Sequence, residues 1–238
     1  EVMPIGIITN ASAILLGGII GGIFGKHFPE RIRTNLTFIF GVASMAIGIN
    51  LIVKLHSLPS IVLSVILGTF IGEMIDLEHW MEVFTVKIKL FIEKISGKNS
   101  SEDDMFIQKY VSLVVLFCTG STGILGSMAE AMTGDHSILL AKAVLDIFTS
   151  AIFAASLGFL VAGIAVPQFL FFMALYLLSG FILPLTTPEA LNDFMSCGGI
   201  IALATGFRIC EMKYIRITNM LPSLLIVIPI SKLWGMFF

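Results

Sequence analysis

Charge is what this chain has least of. Lys and Arg number 14 and Asp and Glu 16 among 238 residues, so charged side chains make up 13%, well under the roughly 25% of an ordinary soluble domain. With 57% apolar residues beside them, that deficit excludes a soluble fold. The charges are dispersed and sum to −2, which leaves no basic patch for nucleic acid. Cysteine is limited to Cys118, Cys197 and Cys210, without a CxxC pair, and His27, His56, His79 and His136 are scattered. No HExxH or Ser-His arrangement occurs, so no metal site, cofactor or enzymatic activity is expected. The first apolar stretch also lacks the basic n-region and small-residue cleavage site of a signal peptide and reads as a spanning helix.

Long apolar runs are what the chain does have. They fall at about 4–25, 36–54, 57–76, 106–132, 137–165, 167–186, 189–209 and 214–237, most of them close to the ~20 residues that cross a ~30 Å hydrocarbon layer as a helix. The pattern predicts an all-α polytopic transmembrane bundle of about eight spans, in a single integral membrane domain over 1–238 with the lipid bilayer as its partner. A seven-span reading, with the termini on opposite sides, is the alternative. The fifth run is long for one span, which implies tilt or an extension past the bilayer surface. Residues 77–97 place Trp80, Val83, Phe84, Ile88, Phe91 and Ile92 on one face, the pattern of an interfacial amphipathic helix. Residues 98–104 form a hydrophilic loop.

Eleven of the 14 Lys and Arg fall on one side of the eight-span layout, against Lys54, Lys142 and Lys232 on the other. By the positive-inside rule the first side is cytoplasmic and both termini lie outside. Three marks recur in order: Pro29-Glu30 and Pro188-Glu189, Gly41 to Gly48 and Gly199 to Gly206, Leu58-Pro59-Ser60 and Leu221-Pro222-Ser223. They suggest inverted three-helix repeats, 4–76 and 167–237, flanking two central helices, a topology common in secondary transporters.

Ionisable residues inside a span are costly and point to function. Lys142 and Asp146 sit one helical turn apart in the fifth run. Asp146 there reads as a proton or cation site with Lys142 as its counter-charge or an anion contact, or the two form an ion pair that pins the helix. In the fourth run Gly120, Ser121, Thr122 and Gly123 weaken the helix and mark either a pathway-lining segment or close packing. Glu130, near the outer end of that run, is a gate carboxylate or an interfacial residue. Asn10, Asn50 and Asn219 each need a partner in lipid, from a neighbouring helix or from cargo. Gly17, Gly18, Gly21, Gly22 and Gly25 form a ridge that lets another helix approach, within the bundle or in a second copy of the chain as a homo-oligomer. Arg208, at the inner end of the seventh run beside Glu211, reads as an interfacial charge or as the closure of an inner gate.

Asn10-Ala-Ser-Ala13 with Gly17-Gly18, Pro29-Glu30-Arg31-Ile32-Arg33, Phe117-Cys118, Met132-Thr-Gly-Asp135, Ala141-Lys142 with Leu145-Asp146, and Asn219-Met-Leu-Pro222 together resemble domain-of-unknown-function family 554, multipass inner-membrane proteins of bacteria. The resemblance runs from Met3 to the C-terminus and departs at Ala129-Glu130-Ala131, where an Asn-Glu or Asn-Gly pair is expected. It implies a bacterial plasma-membrane protein and a suspected transporter, with no established substrate. The expected function is secondary transport of a small solute or ion, coupled to H⁺ or Na⁺ through Asp146. A passive channel is one alternative. A scaffold or sensor is the other, and in that case Lys142 and Asp146 form a sealed pair.

Overall fold

The computed structural model describes residues 3–24, 30–80, 83, 87, 110, 113–114, 117–118, 120–182 and 186–237, and among these the regular structure is helical throughout. Its elements are α1 (Ile5–Phe24), α2 (Glu30–Ile52), α3 (Leu58–Ile75), α4 (Ser121–Thr133), α5 (Ser137–Leu157), a 3₁₀ helix (Gly158–Ile164), α6 (Ala165–Ile182), α7 (Pro188–Ile209), the short α8 (Ile217–Met220) and α9 (Pro222–Phe237). Helices prevail because hydrocarbon offers no partner to a backbone amide, which must bond within its own segment. Proline opens several of them, at Pro59, Pro188 and Pro222, where its missing N–H leaves no helical bond unmade. Six stretches are long and apolar enough to cross a bilayer, Ile5–Phe24, Leu58–Ile75, Ser137–Ala155, Gly158–Phe181, Pro188–Ile209 and Ile217–Phe237, and Phe38–Ile52 is a shorter apolar helix.

One expectation about the central spans is corrected. The fifth run is not one long tilted helix, because α5 ends at Leu157 and Gly158 takes φ +67° and ψ −157°, a backbone region essentially limited to glycine. The chain reverses there, and the next crossing begins at Gly158 rather than Pro167. The fourth run is interrupted at Gly120, whose ψ of 127° starts α4 afresh, so α4 is a half-length helix of 13 residues. Of the amphipathic segment 77–97, residues 77–80, 83 and 87 are helical; the rest of it, like the loop 98–104, lies outside the described residues.

Each of the first three helices finds its main partner in the second half of the chain. On α1, Gly17 and Gly21 rest against Ile147, Ser150 and Ala151 of α5, and Gly18 and Gly22 against Ala162 and Phe159 of the 3₁₀ segment. The described glycine ridge is therefore used inside the chain. On α2, Gly41 and Gly48 meet Gly206 and Gly199 of the antiparallel α7, so the two matching glycine motifs face each other. On α3, Gly68 and Gly72 take Ser223 and Asn219. α6 packs beside α4 and α1. The cores between these pairs hold Leu125, Phe194, Ile201 and Val227, Ile14, Phe117 and Ile164, and Ile7, Leu139 and Phe172. Phe70, Phe148, Leu170 and Phe181 remain exposed, as suits a surface whose solvent is lipid.

Side-chain links fix which helix ends lie together. Glu130, at the end of α4, binds the start of α1, and Lys54, after α2, reaches Asp135 before α5. Asp193, in the second turn of α7, binds the start of α3 and Ser231 in the later half of α9. The start of α1 and the end of α9 thus occupy the same end of the bundle, as an even number of crossings produces.

These close approaches predict opposite outcomes for two glycines. A methyl group on Gly48 would sit 2.6 Å from the Gly199 carbonyl oxygen and 2.7 Å from Leu203 N, whereas nothing lies within 4 Å of one on Gly180. Gly48→Ala should destabilise by about 1–3 kcal/mol through overpacking. Gly180→Ala should be neutral or stabilising by up to about 1 kcal/mol, from helix propensity alone. Thermal unfolding of both variants in detergent checks the contrast.

Candidate functional site

Asp146 is the tenth residue of the 21-residue α5, about 14 Å along the helix at ~1.5 Å per residue, which places it midway across the bundle. Three donors converge on its Oδ2. Lys142 Nζ, one turn earlier, donates to it; Asn10 Nδ2 of α1 donates at 2.9 Å; and Gln168 Nε2 of α6 donates at 3.4 Å. The Gln168 amide also donates to Asn10 Oδ1 at 2.6 Å, which closes a quartet drawn from three helices. Lys142 is 5% exposed and Asp146 7%, with Asn10 and Gln168 wholly buried. A lone charge at such a depth is strongly disfavoured, and the opposite charge with its accompanying hydrogen bonds offsets that cost. The Lys142 ammonium further lies 5.7 Å and 5.8 Å from the ring centroids of Phe117 and Phe172, whose faces attract a cation. Within the quartet one buried atom has no partner, Gln168 Oε1.

The interruption at Gly120 adjoins this cluster. Gly123, in the first turn of α4, faces α5 and α6 so closely that a methyl group on it would lie 2.9 Å from Lys142 Cε and strike the Phe172 ring. The first turn of any helix carries N–H groups without intrahelical acceptors and the positive end of its dipole. Here that end points into the bundle beside the Lys142 stem. Thr122 is half-buried, and Ser121 opens the helix with a side chain outside the described residues.

The other candidates divide among separate places. Glu130 is buried at the end of the bundle where α1 begins. It is 0% exposed, and its carboxylate caps α1, accepting from Gly6 N at 2.6 Å and Ile7 N at 3.2 Å. His136 Nδ1 lies 2.6 Å from Glu130 Oε1, so His136 is not a free surface residue either. Asn219 belongs to another cluster, accepting from Glu78 N at 2.8 Å. Asn50, at the end of α2, is exposed and joins no site. Arg208 pairs with Glu78 at 3.0 Å rather than with its neighbour Glu211, and lies over the Tyr214 ring.

Sequence reasoning overlooked Gln168, Asp193 and Glu78. Gln168 is the one amide or charged residue in Gly158–Ile182, and the rule that singled out Asn10 also applies to it. Asp193 is fully buried. It accepts from His56 N and Ser57 N at 2.9 and 2.8 Å and from Ser60 and Ser231 hydroxyls at 2.9 and 2.7 Å. With four donors it clamps α3, α7 and α9. Among the described residues, no group of three or more His, Cys, Asp or Glu is placed to hold a metal ion.

A lipid-facing helical bundle with a polar cluster buried at mid-depth defines a polytopic integral membrane protein. The chain belongs to the family described as "Protein of unknown function (DUF554)", whose profile matches residues 5–232. It is 47% identical over 236 residues to the uncharacterized protein YqgA of Escherichia coli (strain K12), covering 99% of this chain and 100% of that one. It is 32% identical over 227 residues to the uncharacterized membrane protein YdfK of Bacillus subtilis (strain 168), covering 93% of each. No solved structure matches.

The carboxylates around the α4–α5 turn differ in what they support. Glu130→Ala strands two buried N–H groups and should destabilise by about 2–6 kcal/mol, at about 1–3 kcal/mol for each lost buried partner. Asp135 lies in the turn itself, where the Ser137 hydroxyl and N–H and then the Lys54 ammonium hold its carboxyl below the usual range. A depressed folded value stabilises above the unfolded pKa of about 4 and is lost as pH falls through the folded one. Unfolding curves against pH should therefore show a small acid-side loss in the wild type that disappears in Asp135→Asn.

Proposed function

We propose that the protein is a carrier that moves a small solute or ion across the bacterial inner membrane by alternating access, with Asp146 as its coupling group. The observation that carries this reading is the buried quartet of Asn10, Lys142, Asp146 and Gln168 beside the helix interruption at Gly120. Mid-membrane sites flanked by discontinuous helices are how secondary transporters bind cargo. The recurring sequence marks of 4–76 and 167–237 agree with it, since the matching glycines of α2 and α7 pack against each other as those of an inverted repeat would. The end of the bundle bearing Arg31, Arg208, Lys213 and Arg216 opposes the end bearing Lys54 and Lys232. By the positive-inside rule it faces the cytoplasm, with both termini outside.

The near-complete burial of Lys142 and Asp146 favours a second reading, a scaffold in which the pair only holds α5 in place. The readings separate on function. Proteoliposomes with an entrapped pH dye, given gradients of small anions, cations and amino acids, should change lumen pH with at least one solute, and Asp146→Asn should abolish the change. A silent wild type across the panel, together with a Lys142→Met/Asp146→Asn double variant as stable as the wild type, would reduce the pair to a structural ion pair. Removing one partner of a buried pair costs about 3–5 kcal/mol while removing both can be neutral, so the double variant is the informative one.

A further inference from the structure

The quartet also bears on what it carries, an inference that rests on the carrier reading above. All three neighbours of Asp146 Oδ2 are donors, Asn10 Nδ2, Lys142 Nζ and Gln168 Nε2, an arrangement built for an ionised carboxylate. Lys142 already stands where a coupling cation would sit against Asp146. A sodium ion entering beside that ammonium would meet like charge at short range in a poor dielectric. A proton avoids this, because it binds the carboxylate itself. Protonated Asp146 gains an O–H that needs an acceptor, and the buried acceptor without a partner in the quartet is Gln168 Oε1, on the carboxamide already beside Asp146. The same amide thus serves both charge states, Nε2 toward the carboxylate and Oε1 toward the acid.

Protonation leaves the Lys142 ammonium without a counter-ion in a site 5% exposed, beside the first turn of α4 and the positive end of its dipole. Among the described residues, the other titratable groups around it do not replace the lost charge. The Cys118 thiol, within electrostatic reach of Lys142, and Tyr110 and Tyr176 are neutral side chains. Glu130 is held at the start of α1 by Gly6, Ile7 and His136. Charge balance then sets the cargo. With neither ligand the pair sums to zero; with a proton alone it is +1; with an anion alone it is −1; with both it is zero again. Only neutral states are inexpensive to occlude inside a membrane. We propose that the site binds one proton on Asp146 and one small monovalent anion on Lys142 together, making the carrier an electroneutral proton–anion symporter.

The test uses D146N, which fixes the charge state of the protonated site. Purified wild type, D146N and K142M/D146N are melted with sodium formate, lactate or nitrate, against sodium gluconate and N-methylglucamine gluconate of equal ionic strength, at about pH 5.5 and about pH 7.5. A ligand of the native state raises its Tm saturably. Expected is a rise of several degrees in D146N with at least one small anion at both pH values, in the wild type only at the acidic one, and in K142M/D146N at neither. If D146N does not survive purification, the wild type carries the same comparison through pH alone. Stabilisation of the wild type by Na⁺, with no small anion acting on D146N, overturns the anion proposal and leaves the carrier standing. No response to any solute in either protein, with K142M/D146N as stable as the wild type, overturns both.

Discussion

Hydrocarbon cannot solvate a carboxylate, and this protein buries several. Every one must collect its donors from other helices, and in doing so it fixes where those helices stand. Glu130 ties the start of α1 to the end of α4 and, through His136, to the start of α5. Asp146 ties α1 and α6 to the middle of α5. Asp193 ties the start of α3 and the later half of α9 to α7. α2 is held by weaker means, Ser44 donating to the Ala202 carbonyl at 2.8 Å and Ser196 to that of Leu51 at 3.1 Å. The acidic residues that would be liabilities in lipid thus act as the register marks of the bundle.

Between those marks, small residues set the distances. Lipid tails are as apolar as leucine side chains, so burying leucine brings helices together only weakly in a membrane, and close backbone contact takes over. Gly17 and Gly21 let α1 touch α5, Gly41 and Gly48 let α2 touch α7, and Gly68 and Gly72 let α3 touch the α8–α9 segment. The large apolar side chains are largely turned outward, where lipid takes the place of a core.

The polytopic helical layout was legible because it depends on the length and hydropathy of each run, which are local properties. Lys142, Asp146 and Asn10 were legible for a related reason, since a polar group in an apolar run announces its own need for a partner. The identity of the partner was not legible. Asn10 and Asp146 are 136 positions apart, and periodicity says nothing about which faces meet at that range. Gln168 escaped notice although its surroundings flag it. The partner of Glu130 was equally hidden, because its position at the end of a run says nothing of the α1 N-terminus that covers it. Asn50 and Asn219 obey the same polar-in-lipid rule as Asn10, and their separate fates follow from tertiary placement alone. The break at Gly158 was hidden because an uninterrupted apolar run gives no sign of a reversal, and a single glycine dihedral decides it.

The pairing of α1 with α5, α2 with α7 and α3 with α9 bears on how the molecule is made. A ribosome delivers these helices in order, so the first three enter the membrane before any of their partners has been synthesised. During that interval Asn10, Ser60 and Ser64, all fully buried at the end, face lipid, the insertion machinery or each other. Assembly waits for the second half of the chain, and a nascent protein halted after α4 is a set of helices without mates, a natural substrate for membrane quality control.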